Sequence, residues 1–258
     1  MTVARFRDRG LVVATKPDLT PVTEADRTVE RALGERIARA RPDHGIVGEE
    51  LGAHGPSGPS SRGGTGTRWR WILDPIDGTK NYVRGIPVWA TCIALQRDDE
   101  VIVGVVSAPA LDRRWWAARG EGAFAAGMPI RVSAVGDLAD AQLSYDSVMG
   151  FEAHGLGDRF LGLARRCWRT RGLGDFWSHV LVAEGAVDVA AEPEVSVWDV
   201  AAIQVIVEEA GGRFSDLSGA ARPDGGSAVS TNGLLHDEVL AALGPPMAGG
   251  RAGGTPTS

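Results

Sequence analysis

The chain has 258 residues, of which 43% are hydrophobic and 23% are charged, so it can form one large domain or two joined lobes. Its net charge of -6, without any block of Lys or Arg, argues against a nucleic-acid-binding surface. Its two cysteines, Cys92 and Cys167, form no CxxC pair, which argues against a zinc–thiolate site and a disulfide framework and fits a reducing compartment.

The predicted elements of the first half begin with a helix over residues 27–40, where Val29, Leu33 and Ile37 recur at spacings of four. The Gly-, Ser- and Pro-rich stretch 52–67 predicts a surface loop. A buried strand is then predicted over 69–73. The apolar runs at 90–95 and 101–107 predict a hairpin, and two further strands are expected at 115–118 and 123–125.

The second half alternates between helices and strands. Helices are predicted at 176–184, 200–210 and 234–243, and strands at 187–191, 213–216 and 227–230. Residues 245–258 are rich in Gly, Pro and Thr, which predicts a disordered tail. The order of elements favours a layered α/β or α+β fold with two sheets over a plain doubly wound fold.

Residues 1–10 contain no apolar stretch, so we expect no signal peptide, and no apolar run approaches the length of a membrane span. A cytoplasmic protein without membrane contact is therefore expected.

The strongest chemical pattern is DPIDGT, residues 74–79, at the end of the predicted strand 69–73. Asp74 and Asp77 could converge on hard cations, which also accept backbone carbonyl ligands such as that of Ile76. Gly78 permits an unusual backbone conformation, and Thr79 could begin a helix whose amides attract phosphate. Taken alone, the pattern is equally compatible with an acidic surface turn.

Three further acidic patterns have structural alternatives. Glu49 follows the apolar pair Ile46-Val47 and could lie at a strand end or in a solvated turn. Asp199 precedes a helix and could be its N-cap or project into a site. Thr23 and Asp26 have the spacing of a capping box for the first long helix.

In combination and order, PVTEAD (21–26), GEE (48–50), DPIDGT (74–79), WDVAA (198–202) and EEAGG (208–212) resemble the inositol monophosphatase superfamily over residues 16–236. Within it, stretches such as KPDLTPVTEADR (16–27) and SAPALDRRWWAARGEGAF (107–124) are most similar to actinobacterial histidinol-phosphate phosphatases. The resemblance implies an αβαβα sandwich with two mixed β-sheets, as in inositol monophosphatases and fructose-1,6-bisphosphatases.

The resemblance also implies a domain organisation and a quaternary state. A single catalytic domain would span residues 1–244. Its first lobe, about 1–130, would hold the metal site and the larger sheet, and its second, about 131–244, would supply Asp199. Relatives carry a longer first helix, so the N-terminal helix looks short. A homodimer is implied.

By the same resemblance, Mg²⁺ would be the cofactor, with two or three ions per site and Mn²⁺ able to substitute. Lys16 and Asp18 would lie in a mobile loop linked to the third ion. The implied metal ligands are Glu49, Asp74, the carbonyl of Ile76, Asp77 and Asp199.

The resemblance further implies catalytic roles for Glu49, Thr79 and Asp26, with Asp26 and Thr79 hydrogen-bonded beside the nucleophilic water. The implied substrate contacts are Gly78, Thr79, Gly174, Asp175, Glu192 and Asp199.

These roles suit the chemistry of phosphate esters. A phosphate monoester is a dianion that repels hydroxide, and bound divalent cations cancel that charge, activate a water and stabilise the leaving alkoxide. Oxygen ligands favour Mg²⁺ over Zn²⁺. We therefore predict direct attack by a metal-activated water without a phosphoenzyme.

The implied activity is hydrolysis of L-histidinol phosphate to L-histidinol and phosphate in histidine biosynthesis. Asp175 and Glu192 could pair with the substrate's ammonium group; alternatively, Asp175 caps a helix and Glu192 is exposed. Trp177 and Trp198 could line the pocket or pack in the core. The alternative activities are inositol-1-monophosphatase and a broad sugar- or nucleotide-phosphate phosphatase, and a non-catalytic scaffold is the hypothesis from another class.

Overall fold

The computed structural model describes residues 1–8, 10, 13–15, 21–56 and 67–244. The helices are α1 (Thr2–Arg5), α2 (Glu24–Ala40), α3 (Thr79–Val83), α4 (Val148–Ala153), α5 (Gly157–Arg166), α6 (Asp175–Ala183), α7 (Val197–Glu209) and α8 (His236–Leu243). The strands are β1 (Val13–Thr15), β2 (Pro21–Thr23), β3 (Gly45–Gly48), β4 (Gly52–His54), β5 (Trp69–Asp77), β6 (Ala90–Arg97), β7 (Glu100–Ala108), β8 (Arg113–Ala118), β9 (Gly122–Ala125), β10 (Met128–Pro129), β11 (Gln142–Tyr145), β12 (Arg169–Arg171), β13 (Val189–Glu192), β14 (Arg213–Ser215) and β15 (Ala228–Thr231).

Two mixed sheets dominate the architecture. The larger has eight strands in the order β10-β9-β8-β7-β6-β5-β3-β4, in which β3 and β5 run parallel and the other neighbours antiparallel. The smaller has five strands in the order β12-β11-β13-β15-β14. Strands β1 and β2 form a separate antiparallel pair. The predicted hairpin is β6–β7, and β8 and β9 extend the same sheet as predicted.

Helix α7 lies between the two sheets. Its residues 200–206 are all buried, and it contacts β5–β9 on one side and β14 and β15 on the other. A helix that is apolar on every side must be enclosed, which explains this central position. Helix α6 packs beside α7 and contacts β13 and β15.

The outer layers complete the sandwich. Helix α2 contacts β5 of the larger sheet, while α8 contacts β15 of the smaller sheet and packs on α5. Leu143, Val189 and Val229 of the smaller sheet share an apolar cluster with Phe160 of α5 and its neighbours. The layers therefore alternate as α, β, α, β and α, and the predicted fold class is confirmed. None of the helices in the described ranges is both long and apolar enough to cross a membrane.

The predicted loop over residues 52–67 is partly wrong. Gly52–His54 forms β4 and pairs antiparallel with β3. This strand is short and rich in small residues, so its formation depends on pairing with β3 rather than on an apolar pattern of its own. Residues 57–66, the tail 245–258, Lys16 and Asp18 lie outside the described residues.

Sequence patterns did not indicate the elements between residues 142 and 171, which include the ten-residue helix α5 and three shorter elements. Strands β11 and β12 have four and three residues, and helix α4 has six. Elements of this length carry too few positions for a periodic pattern to stand out.

At Gly104, the backbone of β7 packs closely against α7. A Cβ atom at this position would lie 2.3 Å from the carbonyl oxygen of Ala202, and 2.6 Å from Val205 Cγ1. We expect Gly104→Ala to lower the free energy of unfolding by about 1–3 kcal/mol, the usual cost of overpacking, and the melting temperature by about 2–4 °C per kcal/mol. Thermal melts would measure this, with Gly136→Ala as control because its Cβ would meet nothing within 4 Å. Equal melting temperatures for the two variants would contradict it.

Candidate active site

Four acidic residues converge where the ends of β3 and β5 meet the start of α7. Ligand oxygens of Asp74, Asp77 and Asp199 all lie within 4.8 Å of one another. Asp74 and Asp77 are only 2% and 7% exposed. Because β3 is parallel to β5, with Gly48 opposite Leu73, the strand ends adjoin, and Glu49 N–H donates to the Leu73 carbonyl at 3.2 Å. Glu49 lines the same cavity.

A break in the strand register explains how Asp74 and Asp77 reach one site. Residues three apart on a regular strand point to opposite faces of the sheet. Between these two residues the pairing of β5 with β6 shifts, as at a β-bulge, and such irregularities re-aim side chains. The Ile76 N–H donates to Asp74 Oδ1 at 2.8 Å, which fixes that carboxylate.

Gly78 connects β5 to α3 in the left-handed conformation, with φ of 80°. A Cβ atom there would lie 3.1 Å from the Val88 carbonyl oxygen, so both the conformation and the space favour glycine. Helix α3 then begins at Thr79, as predicted, and Gly78 and Thr79 line the cavity.

Asp199 is not the N-cap of α7, contrary to that alternative. Ser196 is the N-cap, and Asp199 is the third helical residue of a capping box, with its Oδ2 accepting from Ser196 N–H at 2.7 Å. The capping box holds this carboxylate towards the cavity, which it lines. Asp199 can therefore stabilise the start of α7 and also be part of the candidate site.

The predicted hydrogen bond between Asp26 and Thr79 is not formed. Asp26 Oδ2 accepts from Thr23 N–H at 2.8 Å and from Thr23 Oγ1 at 2.5 Å, which confirms the predicted capping box. Thr79 Oγ1 donates instead to the Ile76 carbonyl at 2.8 Å, because that acceptor lies one turn back on the same loop. The second oxygen of Asp26, Oδ1, is buried without a hydrogen-bond partner.

Placing four negative charges in this cluster is electrostatically unfavourable. Burial raises the pKa of Asp74 well above its usual value, and the charges of Glu49 and Asp77 raise it further. Burial likewise raises the pKa of Asp77, with Asp175 and Asp199 adding to the effect. For Asp199, burial and then the nearby Glu49 and Glu192 raise the pKa to about 7. Without a cation, these carboxyl groups resist ionisation. Because they offer only oxygen ligands, they suit hard divalent cations.

The cluster forms one side of a cavity of about 710 Å³. The rest of its lining contains several polar residues that the sequence patterns did not indicate: Lys80, Asp146, Ser147, Glu194 and Ser196. Asp146 directly follows β11, as Asp77 ends β5, so a strand-end carboxylate would have been the signal had that short strand been predicted. Trp198 lines the cavity, whereas Trp177 packs against the core residues Trp115 and Phe176.

Asp175 lines the cavity and has an unusual backbone. Its φ is 47°, a left-handed conformation that is costly for most residues with a side chain and that Asp adopts more readily than most. Its Oδ2 accepts from Asn81 Nδ2 at 3.1 Å. Burial, followed by the charges of Glu192 and Asp146, raises its pKa to about 7. The alternative that Asp175 caps α6 is wrong, since Gly174 is the N-cap and Asp175 the first helical residue.

Glu192 is 7% exposed, so the alternative of an exposed residue is also wrong. Neither Glu192 nor Gly174 is among the residues that line the cavity, and their predicted substrate contacts stay predictions. Gly174 is nevertheless tightly placed, since a Cβ there would lie 2.9 Å from Asp146 Oδ1. The charge of Glu192 nevertheless contributes to the raised pKa values of Asp175 and Asp199, which line the cavity.

Comparisons with known proteins agree with this geometry. The model of the inositol monophosphatase family matches residues 3–245. A histidinol-phosphatase of Mycobacterium tuberculosis is 56% identical over 248 residues, covering 94% of this chain and 92% of that protein. One of Streptomyces coelicolor is 50% identical over 251 residues, covering 94% and 91%. The solved structure of an IMPase of Thermotoga maritima superposes with a TM-score of 0.82 at 34% identity, covering 94% of this chain and 90% of that one. The chain therefore belongs to the inositol monophosphatase family.

Proposed function

We propose that this chain is a Mg²⁺-dependent phosphomonoesterase that hydrolyses L-histidinol phosphate to L-histidinol and phosphate in histidine biosynthesis. The observation that carries the proposal is the convergence of buried Asp74 and Asp77 with partly buried Asp199 in the lining of one large cavity. The substrate is suggested by the relatives named histidinol-phosphatase, at 56% and 50% identity. We also expect a cytoplasmic location and a homodimer; sedimentation of the purified protein would test the homodimer.

The residues present fit the proposed metal. Glu49, Asp74, Asp77, Asp199 and the Ile76 carbonyl would hold two or three Mg²⁺ ions, with Mn²⁺ as a substitute. When bound, such ions neutralise phosphate charge and lower the pKa of a coordinated water. The Ile76 carbonyl already accepts from Thr79 Oγ1, but a carbonyl oxygen has a second lone pair for a cation.

The chain's own groups would orient the reactants. We assign the Gly78 and Thr79 amides to the phosphate, because they lie at the start of α3 beside the acidic cluster. We assign Glu49, Thr79 and Asp26 to orienting the attacking water and holding its proton. The unpaired, buried Oδ1 of Asp26 supports that role, since a buried acceptor without a partner is costly unless it has another use.

The cavity lining outside the cluster suits a cationic leaving group. It carries the acidic residues Asp146, Asp175 and Glu194 and one cation, Lys80. Histidinol carries an ammonium group and an imidazole, which acidic side chains can bind, whereas inositol offers only hydroxyl groups. This asymmetry favours histidinol phosphate over inositol 1-phosphate.

Steady-state kinetics with both esters would test the proposal. We expect kcat/KM for L-histidinol phosphate to exceed that for inositol 1-phosphate by at least about 10-fold, since one charge-assisted contact contributes about 1.5–3 kcal/mol. Chelation of Mg²⁺ should abolish turnover of both. A higher kcat/KM for inositol 1-phosphate would overturn the substrate assignment, and activity unaffected by chelation would overturn the metal assignment.

Asp175→Asn should separate recognition of the ammonium group from hydrolysis itself. The change removes one charge facing the alcohol side of the cavity, so we expect kcat/KM for histidinol phosphate to fall about 10–100-fold. Turnover of glycerol 2-phosphate, which has an uncharged alcohol, should fall much less. Asp158→Asn on the exposed surface is the control. Equal losses for both substrates would exclude a role in recognising the amine.

A further inference from the structure

Glu30 is a fully buried carboxylate that the proposed mechanism does not use. It lies on α2, one helical turn after Asp26, and both residues are 0% exposed. Its Oε2 accepts from Glu50 N–H at 2.8 Å, and its Oε1 accepts from Leu51 N–H at 2.9 Å. Burying a carboxylate is costly unless its oxygens accept hydrogen bonds, so these two amides stabilise Glu30 and Glu30 in turn fixes their positions.

Gly48 leaves the space that this carboxylate occupies. A Cβ atom at Gly48 would lie 1.9 Å from Glu30 Oε1 and 2.3 Å from its Cδ. The glycine's φ is not positive, so the requirement here is for space rather than for an unusual conformation. Glycine at the end of β3 therefore permits Glu30 to reach the turn that follows.

The turn that Glu30 holds after β3 contains Glu49. On its N-terminal side, β3 is paired with β5, and Glu49 N–H donates to the Leu73 carbonyl. On its C-terminal side, the next two amides are bound to Glu30. The backbone of Glu49 is therefore fixed from both directions, once by the sheet and once by α2.

We propose that Glu30 is a positioning residue that fixes the Glu49 turn against α2 and thereby sets the affinity of the acidic cluster for a divalent cation. Asp26 and Glu30 are four residues apart and share one face of α2. The same helix thus holds both the Asp26 carboxylate, whose Oδ1 has no hydrogen-bond partner, and the Glu49 turn. This inference rests on the proposed cation-dependent function.

The primary test is Glu30→Gln, with Glu35→Gln as the matched control on the exposed side of the same helix. An amide side chain keeps one acceptor but turns a donor towards a backbone N–H, so one of the two bonds is lost. We expect Mg²⁺ binding, measured by calorimetry, to weaken about 10–100-fold, the usual cost of removing a group that supports a metal ligand. Saturating Mg²⁺ should restore most of kcat.

Hydrogen exchange gives a readout that needs neither metal nor turnover. In the metal-free wild type, the Glu50 and Leu51 amides should be protected as strongly as those of β5. In Glu30→Gln their exchange should accelerate, while exchange in the second sheet stays unchanged. Unprotected amides in the wild type would overturn the proposal, whatever the variants do.

Gly48→Ala is a second variant in case Glu30→Gln does not fold. It keeps the negative charge but pushes the carboxylate away from the two amides, so it should show the same weaker Mg²⁺ binding and faster exchange. Gly162→Ala is its control, because that Cβ would meet nothing within 4 Å. Folded Glu30→Gln or Gly48→Ala protein with unchanged Mg²⁺ affinity overturns the inference. A wild type that binds no Mg²⁺ overturns the proposed function instead, while amide exchange still reports on Glu30.

Discussion

Asp77→Asn should lose at least about 100-fold in kcat, the low end of the cost of removing one group that stabilises transition-state charge. The carboxylate is 7% exposed and lies within 4.8 Å of two others, so the proposed cations depend on its charge. The substitution is close to isosteric. Asp77 Oδ2 accepts from Phe176 N–H at 2.7 Å, and an asparagine carbonyl can accept the same bond.

The same variant should be at least as stable as the wild type when metal is absent. Two unit charges within 4.8 Å of each other repel by about 3.5 kcal/mol or more at an effective dielectric constant of about 20. Neutralising one of them relieves that repulsion, so the metal-free melting temperature at pH 8 should not fall and is expected to rise. Mg²⁺ should then stabilise the variant less than the wild type.

Phosphate-release assays and melts with and without Mg²⁺ would measure both effects. Asp43→Asn, at an exposed position before β3, is the control and should change neither. Turnover near that of the wild type would contradict the assignment of Asp77 as a ligand. A large loss of metal-free stability would contradict the account of charge repulsion.

Some parts of the fold follow directly from local sequence patterns. Helix α7 was predicted because its long apolar run ends at Gly211-Gly212, and the β6–β7 hairpin because two apolar runs flank a polar turn. The acidic cluster is harder to predict from local sequence patterns. A regular strand would have separated Asp74 from Asp77, and the irregularity opposite β6 that unites them depends on pairing between strands.

Tertiary contacts also determine the positions of the residues that the sequence patterns do not indicate. Asp146 directly follows a four-residue strand that is stabilised by its neighbours in the sheet. Glu30 sits in the middle of a helix whose other charged residues are mostly exposed, and only its contact with the Glu50–Leu51 turn, about twenty residues away, makes it a buried group. Local sequence patterns carry no record of such pairings.

Acidification from pH 6.5 to 4 should remove about 3 kcal/mol of stability through a single buried histidine, His236, at the start of α8. Ser215 Oγ donates to the Asp216 carbonyl, so it accepts from His236 Nε2–H at 2.9 Å. His236 Nδ1 then accepts from Thr231 Oγ1 at 3.0 Å. Both ring nitrogens are thus satisfied in the neutral form, and a second ring proton would face a donor.

The sign of the pH effect follows from the pKa. Burial, followed by the nearby Arg213 cation, lowers the pKa of His236 from 6.5 to about 4, although Asp237 acts in the opposite direction. Between these values the unfolded chain binds a proton that the folded chain does not. The contribution of this residue is therefore complete above pH 6.5 and is lost as the pH falls towards 4.

Chemical denaturation of the wild type and His236→Gln at several pH values, with saturating Mg²⁺ to hold the acidic cluster constant, would isolate this effect. The variant should be less stable at pH 7, because it loses part of the network, but it lacks the titrating group. The difference in unfolding free energy should therefore shrink by about 2–3 kcal/mol as the pH falls from 7 to 4.5, since contributions from distant groups cancel in the difference. His154→Gln, at an exposed histidine, should show no such change. A difference that stays constant with pH would mean that the folded protein accepts a proton on His236 as readily as the unfolded chain does.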